Sequence, residues 1–223
     1  MTAMAVASRT ARQILIAATP IAIAVFVFGI SFGVLAVAAR IPGWAVVLMS
    51  ILVFAGSAQF AAVGVIAAGG GVLSAVMAGA LLNVRYLATG IASAPSLPGG
   101  RWRRALLGQL IVDESFAMGM AAGEQGRPDR QTLLLTGSVL YTVWVIGTLL
   151  GTLVGPILGD PKRLGLDAAF PALFTALLWP MLAGRHAIRC AVAGALVALA
   201  LAPFAPPGIP LAAAAVVGFW LSR

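Results

Sequence analysis

The sequence predicts an all-α polytopic membrane protein of about seven transmembrane helices, give or take one, on three observations. Hydrophobic residues make up 61% of the chain, charged residues only 9%, and the mean hydropathy is +1.06. A soluble globule of this size needs roughly 25% charged residues to cover its surface. The apolar residues also form long continuous runs, whereas the strands of a membrane barrel alternate in short segments. Several runs reach the roughly 20 residues that a helix needs to cross the hydrocarbon core.

Apolar segments follow one another along the chain, separated by breaks that carry proline, glycine and charge. The segments are 14–38, 44–68, 72–92, 105–122, 132–158, 169–184, 187–202 and 209–221. The last three are short and proline-interrupted, so some of them could be half-helices or interfacial pieces. No linker separates the segments, which predicts one integral membrane domain over residues 1–223.

The run 14–38 is predicted to be a first transmembrane helix, because it is too long for a signal core and lacks a clear processing site. Arg9 and Arg12 precede it and predict a cytoplasmic N-terminus. The net charge of +8 would suggest nucleic acid in a soluble protein, but in a membrane protein it is typical of basic cytoplasmic loops. The single cysteine, Cys190, excludes an internal disulfide framework and a cysteine-cluster metal site. We therefore expect no nucleic acid, metal or cofactor.

The basic loops indicate that one of the early segments is broken. Loop 101–104 has the densest positive charge and should be cytoplasmic, yet three full crossings would separate it from the cytoplasmic N-terminus. Unless the charge rule is violated, one intervening segment does not span. Segment 44–68 is the best candidate, because the polar stretch 56–59 lies near its middle. A broken or re-entrant helix near 54–60 is tolerated at membrane depth where protein or a water-filled cavity surrounds it.

A possible internal repeat relates residues 26–65 to residues 141–182. Each has a long helix, a basic loop with proline and glycine, and an interrupted helix. Repeats with interrupted helices at matching positions are common in secondary transporters. The match is one of pattern and not of residue identity.

Three ionisable residues lie within the apolar runs, namely Arg85, Asp113 and Glu114. Such residues cost roughly 3 kcal/mol each to insert and usually face a protein interior or a substrate path. One interpretation is a buried structural ion pair between Arg85 and one of the acids, which does not exclude a functional role. On a regular helix Asn83 and Arg85 point to nearly opposite sides, so we expect them not to serve one ligand. Gln109 and Asp113 stack at a spacing of four, whereas Glu114 points about a quarter-turn away, so only one acid is expected to face the cavity of a given partner.

The stretch 54–60 is the most distinctive local element. Small residues let the backbone unwind or pack closely, and freed N–H groups at a half-helix start can bind a carboxylate. The alternative interpretation is a small-residue helix interface, to which Ser57 and Gln59 add side-chain hydrogen bonds. Asn83, the only asparagine, could likewise be an interhelical hydrogen bond. The only histidine, His186, lies between two arginines and is more typical of a structural or exposed residue than of a proton relay.

Four runs carry a resemblance to a known family: VFAGSAQFAA at 53–62, LLNVRY at 81–86, ASAP at 92–95 and DESFA at 113–117. They resemble the AzlC family of azaleucine-resistance proteins, the large subunits of branched-chain amino-acid exporters. The resemblance covers about 26–122 well and the C-terminal half mainly by hydropathy. It implies export of valine, leucine or isoleucine, a multi-pass location in the bacterial inner membrane and a small AzlD-like membrane subunit. The family commonly has His where Tyr86 stands here, so a proton-handling histidine cannot be carried over.

An aliphatic zwitterion needs a carboxylate site, an ammonium site and an apolar pocket, and the sequence offers candidates for each. The candidate substrate and pathway residues are Gly56, Ser57, Gln59, Asn83, Arg85, Asp113 and Glu114. The arginine or freed backbone N–H groups would meet the carboxylate, and the acids or amide oxygens would meet the ammonium group. We expect proton-driven alternating access with the break at 56–59 as its moving centre. The alternative is a membrane scaffold or assembly subunit without its own translocation path, while no nucleophile–base or metal constellation favours an enzyme.

Overall fold

The computed structural model describes residues 10–158, 184–205 and 209–221, together with 175, 179 and 182. The regular structure in these residues is helical, without strands, which confirms the predicted all-α fold. A short 3-10 helix, Ala94–Ser96, follows the fifth helix. In chain order the helices are α1 (Ala11–Ala38), α2 (Gly43–Val53), α3 (Gly56–Ala67), α4 (Val72–Asn83), α5 (Arg85–Ser93), α6 (Arg101–Gly108), α7 (Asp113–Ala122), α8 (Arg130–Val154), α9 (Arg185–Leu201) and α10 (Ile209–Leu221).

Two of the described helices, α1 and α8, are each long and apolar enough to cross a membrane. Their 28 and 25 residues correspond to roughly 40 Å at the helical rise. Both start at a capping side chain: Thr10 accepts from the Gln13 N–H, and Asp129 accepts from the Thr132 N–H at 2.8 Å. The predicted number of about seven spans is not confirmed. If the bent pairs α4/α5 and α6/α7 each count as a span, the described residues hold four at most.

Helices α1 and α8 pack closely and run in parallel. The backbone of Gly29 faces that of Gly147, and one turn further on Gly33 faces Gly151. A Cβ atom at Gly33 would collide with the α8 backbone, so the absence of a side chain permits this close approach. Because both helices advance in the same direction from one contact to the next, their amino-terminal ends lie together.

Helix α2 runs antiparallel to α8. Its first residue, Gly43, lies beside Thr152 near the carboxy-terminal end of α8. Near its other end, the Ile51 carbonyl accepts a hydrogen bond from the Tyr141 hydroxyl at 3.0 Å, at the middle of α8. Helix α2 therefore enters from the carboxy-terminal end of the α1/α8 pair and stops about halfway.

The chain then turns back, so α2 and α3 form a re-entrant hairpin. Phe54 has left-handed backbone geometry with φ 38°, which is uncommon for a bulky residue and marks the reversal. On the returning helix, Phe60 packs edge-to-face on Phe32 of α1, with ring centroids 5.4 Å apart. The predicted break near 54–60 is confirmed, since α2 ends at Val53 and α3 begins at Gly56.

Helices α4 and α5 connect the two ends of the α1/α8 pair, with a 45° bend between them. Helix α4 packs along α3, where Gly79 faces Ala58. After α5, the Ser96 hydroxyl donates to the Pro128 carbonyl at 2.8 Å, beside the start of α8. Helices α4 and α5 together therefore run from the carboxy-terminal end of the α1/α8 pair to its amino-terminal end. The assumption that Asn83 and Arg85 lie on one regular helix is wrong, because α4 ends at Asn83 and α5 begins at Arg85.

Helices α6 and α7 form a second re-entrant hairpin, which enters from the opposite end to the first. They bend by 109°, and Leu110 at the bend lies against Gly137 near the middle of α8. Helix α7 then returns, and the Gly119 carbonyl accepts from the Asp129 N–H at 2.8 Å, at the start of α8. The predicted stacking of Gln109 on Asp113 is wrong, because the chain bends between them. Gln109 instead donates to the Leu52 carbonyl at 2.8 Å, so the two hairpin tips meet.

This topology removes the conflict between the basic loops. The basic residues 101–104, predicted as a loop, form the first turn of α6. Only α1 and the α4/α5 pair separate Arg12 from them, because the α2/α3 hairpin leaves by the end at which it enters. One end of the α1/α8 pair therefore carries Arg12, residues 101–104, Arg127 and Arg130, and Arg40 lies at the other end. The predicted single domain is not tested, and half of the second copy of the possible repeat lies outside the described residues. Helices α9 and α10 pack on each other, and α10 also contacts α4.

Candidate functional site

Three interrupted helices, α3, α5 and α7, begin at one cavity near the middle of α8. The cavity has a volume of about 110 Å³. The first N–H groups of a helix have no partner within it, and a helix start carries partial positive charge. At α3, for example, the first helical bond is donated by the Gln59 N–H to the Ala55 carbonyl, which leaves the preceding N–H groups near the cavity. The residues contributed by the three starts are Gly56, Ser57, Arg85, Tyr86, Asp113 and Glu114.

The remaining walls of the cavity are apolar. They come from α1 and α8 and from the two hairpin tips, so the polar helix starts face a hydrocarbon-like surface. The apolar lining residues are Val25, Phe28, Phe54, Phe60, Val112, Leu140 and Trp144. Such a combination of a few convergent polar groups with apolar walls is typical of a small-molecule site.

Arg85 links the three helix starts. Its guanidinium group lies 3.1 Å from the Asp113 carboxylate on α7 and donates to the Ser57 hydroxyl on α3 at 2.8 Å. It also lies over the ring of the adjacent Tyr86, 5.2 Å from the centroid. The predicted ion pair is therefore present. It is not buried, however, since the side chains of Arg85 and Asp113 are 38% and 46% exposed and border the cavity.

Both acids, Asp113 and Glu114, line the cavity. The expectation that only one would face it is wrong, because both belong to the first turn of α7 and the start of that helix points at the cavity. Only Asp113 reaches Arg85. Within the described part of the chain, the Glu114 side chain has no ion pair or hydrogen bond.

Gln59 holds the first hairpin together and does not line the cavity. Its side chain is 1% exposed, and its Oε1 accepts from the Ala55 N–H at 3.2 Å and from the Trp144 indole N–H at 3.1 Å. Its Nε2 donates to the Ser50 hydroxyl at 3.0 Å, which in turn pairs with Thr148. The amide thus satisfies backbone and side-chain groups that the break leaves free.

Asn83 also lies outside the cavity lining, at the carboxy-terminal end of α4. Its Oδ1 is buried without a hydrogen-bond partner among the described residues. Arg85 does line the cavity, so the two residues are separated as expected, although by a break and not by the phase of a regular helix.

The comparison with known families places this site within a recognised protein family. The family model described as AzlC protein matches residues 20–158, which include most of α1 and all of α2 to α8. The chain belongs to the AzlC family. All the cavity-lining residues fall within the matched region. Membership supports a role related to membrane transport.

Relatives of this AzlC protein are membrane proteins. An uncharacterized membrane protein of Archaeoglobus fulgidus is 34% identical over 215 residues, which cover 95% of this chain and 93% of that protein. An uncharacterized membrane protein of Helicobacter pylori is 24% identical over 124 residues, which cover 55% of this chain and 54% of that protein. No solved structure matches.

Sequence reasoning missed the contribution of the long helices of this AzlC protein. Trp144 and Leu140 form one wall, but apolar residues in an apolar helix carry no local signal of a site. Trp144 also packs on the α3 start, where a Cβ atom at Gly56 would lie 3.1 Å from the indole ring. His186 lies on α9 beside Cys190, away from the cavity lining. No group of three or more metal-ligating side chains is found among the described residues.

Proposed function

We propose that this AzlC protein is the large subunit of a secondary transporter that exports valine, leucine and isoleucine. In this proposal it works with a small AzlD-like membrane subunit in the bacterial inner membrane and uses the proton gradient. The observation that carries the proposal is the convergence of three helix starts, Arg85 and two acids on one cavity with apolar walls.

The cavity has complementary groups for each part of an aliphatic amino acid. The Arg85 guanidinium and the N–H groups at the start of α3 suit the carboxylate, because anions are favoured at helix starts. The Asp113 and Glu114 carboxylates suit the ammonium group. The side chain would lie against Phe28, Leu140 or neighbouring apolar walls.

The two re-entrant hairpins supply the elements that could alternate access. They enter from opposite ends, and their tips meet beside the cavity through the bond from Gln109 to the Leu52 carbonyl. Movement of one hairpin would open the cavity toward one end of the molecule while the other stays closed. Transporters commonly bind substrate between such interrupted helices near the middle of the membrane.

Efflux from cells or vesicles loaded with leucine, valine or isoleucine tests the proposal, with and without a co-expressed small subunit. We expect the Arg85→Ala and Asp113→Asn variants to lower the initial export rate by about tenfold or more, because each removes a charge-assisted contact worth roughly 1.5–3 kcal/mol. The matched control is Arg104→Ala, at an exposed position on α6. Export that is intact in both cavity variants would contradict the site.

The same variants separate transport from a scaffold role. The yield of the intact membrane complex is measured beside efflux. A scaffold without its own path predicts loss of complex yield and no loss of transport per complex. If leucine and valine accumulate equally with and without the protein, the proposed function is wrong.

A further inference from the structure

The two acids at the start of α7 differ in their electrostatic surroundings. Asp113 lies 3.1 Å from the Arg85 guanidinium, whereas Glu114 has no such partner in the described part of the chain. The titratable side chains that line the cavity with Glu114 are Arg85, Tyr86 and Asp113. Arg85 is thus the positive side chain among them, and it is engaged by Asp113 and Ser57.

Whether proton binding favours or opposes substrate binding depends on which of the two acids takes the proton. If Asp113 took the proton, its ion pair would break and Arg85 would be free for the substrate carboxylate. Proton and substrate would then bind together and move in the same direction, so an inward proton gradient would oppose export. An exporter needs the opposite arrangement, in which proton and substrate exclude one another.

We infer that Glu114 is the carboxylate at which a proton and the substrate ammonium group compete, while Asp113 serves as the ion-pair partner of Arg85. This inference rests on the proposed function. Both competitors carry one positive charge, and a protonated carboxyl group no longer attracts an ammonium group. Occupation by one therefore weakens binding of the other.

The transport cycle balances in protons and charge. On the inner side the substrate ammonium binds Glu114, and the proton that Glu114 carried leaves to water. On the outer side the substrate leaves, and a proton from water takes its place on the carboxylate. The amino acid crosses as a zwitterion, so each cycle carries one positive charge inward for each amino acid exported.

The pH dependence of leucine binding to the reconstituted full-length complex tests this inference. In the wild type we expect the apparent Kd to rise by up to about tenfold for each pH unit on acidification, since one proton competes with one substrate. The Glu114→Gln variant should bind leucine more weakly and with no pH dependence over the same range. Asp113→Asn releases Arg85 for the substrate carboxylate, so it should not weaken binding and should keep the pH slope. Glu124→Gln, an exposed acid after α7, is the matched control and should behave as the wild type.

Proton movement gives a second measurement on the same preparations. A pH-sensitive dye inside vesicles should report proton movement opposite to leucine in the wild type. Glu114→Gln should exchange leucine for leucine without moving protons. If Glu114→Gln does not bind leucine, Glu114→Asp should restore both binding and the pH slope, and its failure to do so would overturn the inference.

Each remaining outcome separates the inference from the proposed function. A pH slope that persists in Glu114→Gln, or one that disappears only in Asp113→Asn, overturns the assignment to Glu114 and leaves export standing. A wild-type complex that binds leucine equally at all pH values likewise overturns the assignment to Glu114 and leaves export standing. A wild-type complex that binds no leucine at all overturns both.

Discussion

Polar residues in the interrupted segments divide into those that border the cavity and those that hold the breaks. Arg85 belongs to the first group, since it joins the starts of three helices and opens onto the cavity. Gln59 belongs to the second, since its amide is buried and bonded to the hairpin and to α8. Both were candidate ligands from the sequence, because a polar residue in an apolar run looks the same in either role.

Replacement of Gln59 by leucine should therefore destabilise the protein. Gln59→Leu keeps the approximate side-chain volume but leaves the Ala55 N–H and the Trp144 indole N–H without an acceptor. Each unpaired buried group costs about 1–3 kcal/mol. Two such groups together cost about 2–6 kcal/mol, so we expect the Tm of the purified protein to fall by roughly 5–20 °C.

Thermal unfolding of Gln59→Leu is compared with that of Gln131→Leu, at an exposed position in the first turn of α8. The control should unfold near the wild-type temperature. Equal Tm values for Gln59→Leu and the wild type would show that the amide does not hold the hairpin.

At the scale of elements, the fold depends on the close contact between α1 and α8. These two helices form the frame on which both hairpins end, and hairpin contacts to Tyr141, Trp144 and Gly137 all lie in the middle of α8. Small residues at helix interfaces in membranes allow close backbone packing, which supplies van der Waals attraction where lipid offers no hydrophobic driving force.

A single methyl group added at the α1/α8 interface should destabilise the fold. In Gly33→Ala the added Cβ would collide with the α8 backbone, and overpacking of this kind costs about 1–3 kcal/mol. We expect a lower yield of folded protein in the membrane and a Tm lower by roughly 3–10 °C.

Gly64→Ala is the matched control for Gly33→Ala. It lies within α3, where an added Cβ would meet no atom within 4 Å. Its yield and Tm should equal or exceed those of the wild type, because alanine favours helix over glycine. If both variants unfold at the same temperature, the close packing of α1 and α8 does not limit stability.

At the scale of the whole molecule, the hairpins decide which loops share a side of the membrane. The structure brings the described basic loops of the amino-terminal half to one end of the α1/α8 pair, with Arg40 at the other. This arrangement fits the tendency of basic loops to stay on the cytoplasmic side. A chain that crossed fully at 44–68 would place the loops on either side of that segment on opposite faces.

Cysteine labelling in intact cells tests this topology. In a Cys190→Ser background, Ile41→Cys and Gly70→Cys should react with a membrane-impermeant thiol reagent from the same side. Gly100→Cys and Glu124→Cys should react from the other side. Labelling of Ile41→Cys and Gly70→Cys from opposite sides would show that α2 and α3 together cross the membrane.

The sequence by itself determined that this protein is helical, lies in a membrane and has a break near 54–60 with ionisable residues at depth. These features follow from composition, run length and local polarity, which act on each segment separately. The break at Val84 and the bend after Gly108 were not predicted from the sequence, because the predominantly apolar segments 72–92 and 105–122 continue through both positions without a proline or a polar stretch like that at 56–59.

Only the tertiary structure decided that α2/α3 and α6/α7 turn back and that three helix starts meet at one cavity. A half-helix and a full span have the same apolar composition, so local sequence cannot distinguish them. A reversal at mid-depth is stable only if other groups satisfy the freed backbone. For the first hairpin those groups are Tyr141 and Trp144, 90 and 85 positions further along the chain than Ile51 and Gln59, their respective partners.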